Sequence, residues 1–522
     1  MINKYLKYLT YGFFTLILVL SGIFYLSKIS FWADKTKEAV GQETNYQVPL
    51  SSVKSYGYYL MPYTRFGEYG EGKFPDYSAE DVKDFWLSKH DLIVTGYSPQ
   101  DYKEQEANRL ILGGDANTGA GFYDYSSNTY YWEGQWTDLY NWIENNFDNY
   151  NGWGFNSVDE AFEDCWLHLS ETSDPITFTF GGREDRYGTT EITITPYDPA
   201  DPTRSRVPGA WDASSWYTNI KSPVYIDFWQ DYYTEQLIIK YEENVDGYFL
   251  DVLSWDGYAH FSTEEEFQNL REFSSREEYN TYLANLTEII QNKLHETYLG
   301  KYLAANTWRH LDNSYEEPTF TFKDNVDIYI REGSIHSGMN INSFENELKA
   351  CLDASNEGHI VLRQHRLEDG NASIADISRI AGLATYYLSK NENTYFFSYP
   401  VVNSLDIDPY NAWYDAIGYD IGQPEGDYYV FAEGIDGNNY NYKIFARNFT
   451  KAMVLIKPPH VGYNLSENSR TTHLLPGTFK SLDADANLGP KITEISLRNW
   501  EGAILLEVDT IVPGTIDDLK AT

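Results

Sequence analysis

Eight short apolar segments recur along the first four fifths of the chain, each closed by polar or aromatic residues: GYYLMPY near Tyr58, DLIVTGY near Leu92, RLILGG near Leu110, DGYFLD near Phe249, KYLAANT near Leu303, VDIYIREG near Ile328, HIVLRQH near Val361 and TYFFSY near Phe396. Amphipathic stretches separate several of them, notably YYTEQLIIKYEENV, REEYNTYLANLTEIIQNKLHETY and NSFENELKACLDASNEG. Apolar runs of strand length that alternate with helical patterns predict parallel βα units. Eight such strands predict a (β/α)8 TIM barrel, an α/β fold. Spacing is regular from Asp246 to Tyr395. Earlier it is not: the second and third segments lie close together, and a long region precedes the fourth. ITFTFGG, at 176–182, competes with RLILGG for the third strand. Together with EITITP it also reads as a hairpin within an insertion around 115–220.

After Pro400 the helical pattern ends. DYYVFAEG, YKIFARNF, KAMVLIKP and GAILLEV succeed one another, which predicts a small antiparallel domain over 425–510, expected as a β-sandwich. The barrel is expected over 51–410. At the other end, Lys4 and Lys7 precede LTYGFFTLILVLSGIFYLS, uncharged and long enough to cross the roughly 30 Å hydrocarbon core as a helix. Residues 1–28 therefore read as a single-pass transmembrane anchor of the cell membrane, with Leu20-Ser21-Gly22 leaving open a cleaved signal peptide and a secreted protein. Residues 29–50 are polar and read as a linker. The body is expected outside the cytoplasm.

Charge narrows the partners. The chain has 78 acidic and 39 basic side chains and a formal net charge of -39, which repels phosphate backbones, so nucleic acid is excluded as a partner. Cys165 and Cys351 are the only cysteines; they make neither a disulfide scaffold nor a zinc site, and one bridge between them is conceivable outside the cell. There is no GxSxG elbow, HExxH helix, P-loop or GxGxxG turn, so the usual signatures of serine hydrolases, zincins and nucleotide-driven enzymes are missing. No metal or cofactor is called for, although the DGNN loop at Asp436 has the composition of a calcium loop. Asn285, Asn371, Asn448 and Asn464 head acceptor triplets for glycosylation. Oligomeric state is not legible.

In a barrel the reacting groups stand at the C-terminal ends of the strands. VDGYFLD ends in Asp251 and VDIYIRE in Glu332, and two carboxylates facing one pocket are what glycosidic cleavage requires: one protonates the leaving oxygen while the other attacks the anomeric carbon or activates water. Asp256 and Asp164 are further acids. Asp251 could instead cap a helix or pair with Arg331 or Arg363, and Arg331 is itself a candidate functional group. Substrate-binding candidates are Tyr63, Arg65, Tyr97, Trp255, Asp256, Asn306, Trp308 and Gln364, because amides and phenols hold sugar hydroxyls and aromatic faces stack on pyranoses. His365 ends the same strand as Gln364. The expected partner is a polysaccharide or oligosaccharide. A barrel retained only as a carbohydrate-binding or cell-surface scaffold is the alternative.

The succession of SPVYIDFWQDYYTEQL, VDGYFLDV, Asn306 in AANT and IYIREG resembles TIM-barrel glycoside hydrolases of the hypothetical glycosyl hydrolase families, related to the endo-alpha-1,4-polygalactosaminidases. The resemblance implies catalytic roles for Asp251 and Glu332. WYDAIGYDIGQP, FARNFTKAMVLIKP and ISLRNWEGAILL resemble the C-terminal β-domain of the same proteins, with Lys457-Pro458 standing where the family has Asn-Pro. The likeness runs from about Ser51 to Val508 and lapses between Gly114 and Ser222, so it does not carry a substrate.

Overall fold

A computed structural model describes the chain over residues 53–54, 56–59, 79–95, 104, 109–115, 121–123, 133–148, 152–179, 191–208, 215–235, 245–250, 267–297, 300–306, 325–331, 340–367, 372–400, 413–460 and 466–508. All eight predicted segments are strands of one parallel sheet: β1 (Tyr56–Tyr59), β2 (Leu92–Thr95), β3 (Leu110–Asp115) and, beyond the insertion, β8 (Gly247–Leu250), β9 (Tyr302–Asn306), β10 (Ile328–Arg331), β11 (Ile360–Leu367) and β12 (Thr394–Pro400), hydrogen-bonded in that order. RLILGG is thus the third strand. The sheet curls on itself: the N–H of Phe396 on β12 donates to the carbonyl of Lys54, just ahead of β1, at 2.9 Å.

Register explains the curl. Residues partnered across parallel strands share a face. Leu112, Phe249, Ala304, Ile328, Ile330, Leu362 and Phe397, from six different strands, meet with Leu92 and Val94 in one buried cluster, which is the barrel interior. Alternate residues face outward, and Tyr248, Leu250, Leu303, Ala305, Tyr329 and Val361 join a second, larger cluster. Because both faces are covered, the strands read as near-continuous apolar runs.

The outer layer includes α1 (Ala79–Lys89), and the connection from β3 to β8 carries the predicted insertion. In it β4 (Gly121–Tyr123) pairs antiparallel with β7 (Ser215–Tyr217), and ITFTF and EITITP form the expected hairpin, β5 (Ile176–Thr179) with β6 (Glu191–Ile194). It also contains α2 (Glu133–Asn146), α3 (Val158–Glu163) and α4 (Pro223–Phe228), the last continuing into a π turn at Trp229–Tyr233. Later come α5 (Arg276–Thr297), α6 (Ile341–Asn356), opened by an Asn340 capping box, and α7 (Ala372–Leu388).

The C-terminal region differs from the expected β-sandwich. Its strands, β13 (Tyr429–Ile435), β14 (Asn441–Phe449), β15 (Ala452–Lys457), β16 (Thr471–Leu482), β17 (Leu488–Leu497) and β18 (Glu501–Glu507), form one six-stranded antiparallel sheet in the order β13-β14-β15-β18-β16-β17. One face (Phe445, Val454, Ile456, Ile504, Leu506) packs on Ile380, Ala381, Leu383 and Ala384 of α7. The other (Ile444, Ala446, Met453, Leu455, Leu505) is covered by Leu475, Phe479 and Leu497 of the same sheet's outer strands. A sheet bent over itself replaces the second sheet; β16 breaks register against β17 between Leu474 and Phe479. Arg447 of β14 fastens the two halves, its guanidinium donating to the carbonyls of Tyr387, Leu388 and Lys390 at 3.2, 3.2 and 2.7 Å, where the C-terminus of α7 attracts a cation.

Cys165 and Cys351 are both free and fully buried, so no bridge joins them. The apolar segment at 1–28 lies outside the described residues, among which no helix is long and apolar enough to cross a membrane.

Candidate active site at the strand ends

Strands β8 and β10 are built on one frame. Val245 and Val326 are fully buried. Asp246 and Asp327, next in each, bind the neighbouring strand reciprocally. The Asp246 N–H donates to the carbonyl of Ile111 on β3 while its Oδ2 accepts the Ile111 N–H, both at 2.8 Å. The Asp327 N–H donates to the Leu303 carbonyl on β9 at 2.9 Å, and its Oδ2 accepts the Leu303 N–H at 2.7 Å. Tyr248 and Tyr329 then point outward, buried, and Phe249 and Ile330 point into the barrel. This V-D-x-Y frame is visible in the sequence as VDGYFLD and VDIYIRE, and reading only the terminal acids misses it. Its aspartates fix the height of both strands from below.

Asn306 and Gln364 are the two predicted sugar-binding residues within the described part. Both face the interior. Asn306 ends β9, in register with the inward Ile330, and is 3% exposed. Gln364 follows the inward Leu362 by two, is in register with the inward Phe397, and is 1% exposed. Asp251, Glu332, Tyr63, Arg65, Tyr97, Trp255, Asp256 and Trp308 lie outside the described residues.

The structure assigns the arginines elsewhere. Arg331 and Arg363 are in register on neighbouring strands and face away from the interior, toward α6. Glu347 of that helix bridges them, with Oε2 at 3.0 Å from Arg331 Nη2 and Oε1 at 2.7 Å from Arg363 Nη2; all three side chains are 1% exposed. Arg363 Nη1 also donates to the Thr385 carbonyl at 3.3 Å and to the Ser389 hydroxyl. Arg331 is therefore a component of the outer packing layer and not an inward group. His365 is likewise outward: its Nε2 lies 3.1 Å from Ser378 Oγ, and burial, reinforced by Arg363, holds its pKa down to about 4. Its ring fills the space above Gly382 of α7.

Asp164 caps the end of α3 in the insertion, where burial raises its pKa. It belongs to a buried polar knot beside α3. His168 Nδ1 lies 2.8 Å from Glu272 Oε1 and its Nε2 lies 2.9 Å from Glu163 Oε1, while Arg206 Nε donates to Glu163 at 2.8 Å. Burial alone would lower the His168 pKa, but the two carboxylates reverse this and raise it. Burial likewise opposes the charge on Glu163, and the bonds from Arg206 and His168 outweigh it, taking its pKa to about 2. Since Glu272 precedes α5, the knot ties the insertion to the β8–β9 connection, as do the Leu169–Leu270 bridge and the bond from the Arg271 N–H to the His168 carbonyl at 2.9 Å. At Asp436, Oδ1 accepts the N–H groups of Asn438 and Tyr440 at 2.9 and 3.1 Å, a local turn. Among the described residues no group of three or more His, Cys, Asp or Glu side chains is placed to hold a metal ion.

No protein-family model matches the chain, and no curated protein does. Solved structures resemble it. The isomaltulose synthase SmuA from Protaminobacter rubrum shares 9% identity over 88% of this chain and 100% of its own, with a TM-score of 0.44. A trehalulose synthase variant in complex with Tris shares 11% over 88% and 99%, also at 0.44. The glycoside hydrolase domain of PelA from Pseudomonas aeruginosa shares 14% over 68% and 96%, at 0.32. Scores this low carry no argument about activity. The parallel barrel and the curled antiparallel sheet rest on the chain's own register.

Proposed function

We propose that the chain is a glycoside hydrolase that cleaves a polysaccharide outside the cytoplasm with Asp251 and Glu332 as its pair of carboxylates. The observation that carries this reading is the shared frame of β8 and β10. Phe249 and Ile330 point inward on strands one apart, and in the sequence each is followed two residues on by a carboxylate, Asp251 and Glu332. β9 runs between the two strands and brings the amide of Asn306 to the interior beside them. In this reading one carboxyl group donates a proton to the leaving oxygen and the other attacks the anomeric carbon or activates water. Asn306, Gln364 and the aromatic residues Tyr63, Tyr97, Trp255 and Trp308, with Arg65 and Asp256, bind the sugar. The apolar segment near the N-terminus would deliver and anchor the enzyme at the cell membrane.

Asp251→Asn and Glu332→Gln should each lower kcat at least about 100-fold on a polysaccharide identified by screening neutral, uronic-acid and amino-sugar polymers, with unfolding temperature unchanged. A variant that cleaves at the parent rate removes that carboxylate from the mechanism.

A further inference from the structure

Among the described side chains of β11, Gln364 is a polar one that faces an otherwise apolar part of the interior. Gln364 stands between the inward Leu362 on its own strand and Phe397, its register partner on β12, at 1% exposure, and its Oε1 has no hydrogen-bond partner among the described residues. A buried amide oxygen without a donor is costly, whereas an apolar side chain of similar length would fit the same surroundings at no such cost. Arg363 and His365, outward on the same strand, are bonded to Glu347, Thr385 and Ser389 and to Ser378, although Arg363 Nε and His365 Nδ1 are also unpaired among the described residues; what sets Gln364 apart is that its acceptor faces the interior. In native proteins an acceptor left without a protein donor is used by an ordered water, an ion or a bound ligand.

On the reading of the barrel as a sugar-cleaving enzyme, we propose that Gln364 is a specificity-determining residue whose Oε1 accepts a hydrogen bond from a hydroxyl of the bound sugar. A site built around an acceptor rejects a ring that lacks the matching donor, because the acceptor is then left buried and unpaired. The substrate class is therefore a saccharide that carries a free hydroxyl at the ring position facing β11, and its deoxy or O-methyl counterpart is refused.

The test uses the full chain with Gln364→Met and Gln364→Leu, which keep the bulk and delete the acceptor. Thermal unfolding is followed without ligand and with glucose, galactose, galactosamine and N-acetylgalactosamine in large excess. Without ligand, both variants should unfold at or above the parent temperature, by up to about 1–3 °C, because an unpaired buried polar group has been removed. At least one sugar should stabilise the parent and lose that effect in both variants. Variants that unfold earlier than the parent would show that the amide holds the fold together, and the proposal fails. It fails equally if the variants keep the sugar-induced shift, or if no sugar moves the parent. Cleavage by Asp251→Asn and Glu332→Gln reports separately on the reading beneath it: undiminished cleavage sinks that reading, whatever Gln364 does.

Discussion

Replacing Glu347 by Gln keeps the shape of the side chain and removes the negative charge that bridges Arg331 and Arg363. The two guanidiniums stay 1% exposed, each having lost a charge-assisted bond of 3.0 or 2.7 Å to a carboxylate oxygen. Removing one member of a buried ion group costs about 3–5 kcal/mol, because the remaining charge loses its counter-charge where water does not reach it. Against the roughly 5–15 kcal/mol that separates folded from unfolded domains, that is a severe lesion. Arg363 keeps its bonds to Thr385 and Ser389, which favours the lower half of the range. Urea unfolding of Glu347→Gln should show the loss as a fall in midpoint without a change in slope. The triple replacement Glu347→Leu, Arg331→Met, Arg363→Met should recover most of it, since apolar groups of similar volume replace buried ion groups at little cost. A single variant within about 1 kcal/mol of the parent would refute the argument that this knot holds α6 to β10 and β11.

Two further expectations follow from other contacts. The polar knot at His168 should be pH-dependent at both ends. The raised His168 pKa contributes stability that is complete below its ordinary value of 6.5 and lost as pH rises through the folded value. Glu163, depressed to about 2, contributes stability complete above its ordinary 4.5 and lost as pH falls toward 2. Thermal unfolding should therefore peak between about pH 4.5 and 6.5 relative to His168→Gln, whose alkaline decline should flatten; identical alkaline limbs would remove His168 as the cause. In α7, Gly382→Ala would set a Cβ 2.3 Å from the ring carbons of His365, which costs about 1–3 kcal/mol of overpacking. Adding His365→Ala should recover part of the loss in unfolding experiments, and strict additivity of the two changes would contradict the contact.

Much of the barrel is legible because strands covered on both faces leave near-continuous apolar runs between amphipathic helices. The same property hides which face is which. In VDIYIRE both Ile328-Ile330 and Tyr329-Arg331 are buried sets, so alternation alone does not tell whether Arg331 joins the interior; its partner, Glu347, lies 16 residues on, in a helix. Parity becomes decisive only once Leu362 and Ile330 are seen in one cluster. ITFTF has the composition of a barrel strand, and only its pairing with EITITP, including the bond of 2.8 Å between Thr177 and Thr193, makes it a hairpin. The single curled sheet was not legible either: alternating segments predict antiparallel strands, whereas sheet number depends on the register break in β16 and on long-range pairing. Of the residues the sequence offers for the site, Asn306 and Gln364 face the interior; Asn306 ends β9, whereas β11 runs on past Gln364 to Leu367, and Asp246 and Asp327 give no signal of a site because they sit at strand starts, where the work is structural.

α7 belongs to two structures at once. One edge lies along β11 and β12, and Ile380, Ala381 and Ala384 lie under the antiparallel sheet, where Gly502 of β18 comes so near the helix that a Cβ would meet the Ala381 Cα at 2.9 Å. A chain cut in the segment after β12 would keep the helix and strip its cover, exposing an apolar strip and three carbonyls that now receive Arg447. The barrel is thus not a detachable cassette. For expression, fusion or domain exchange, the unit that can be moved runs through β18.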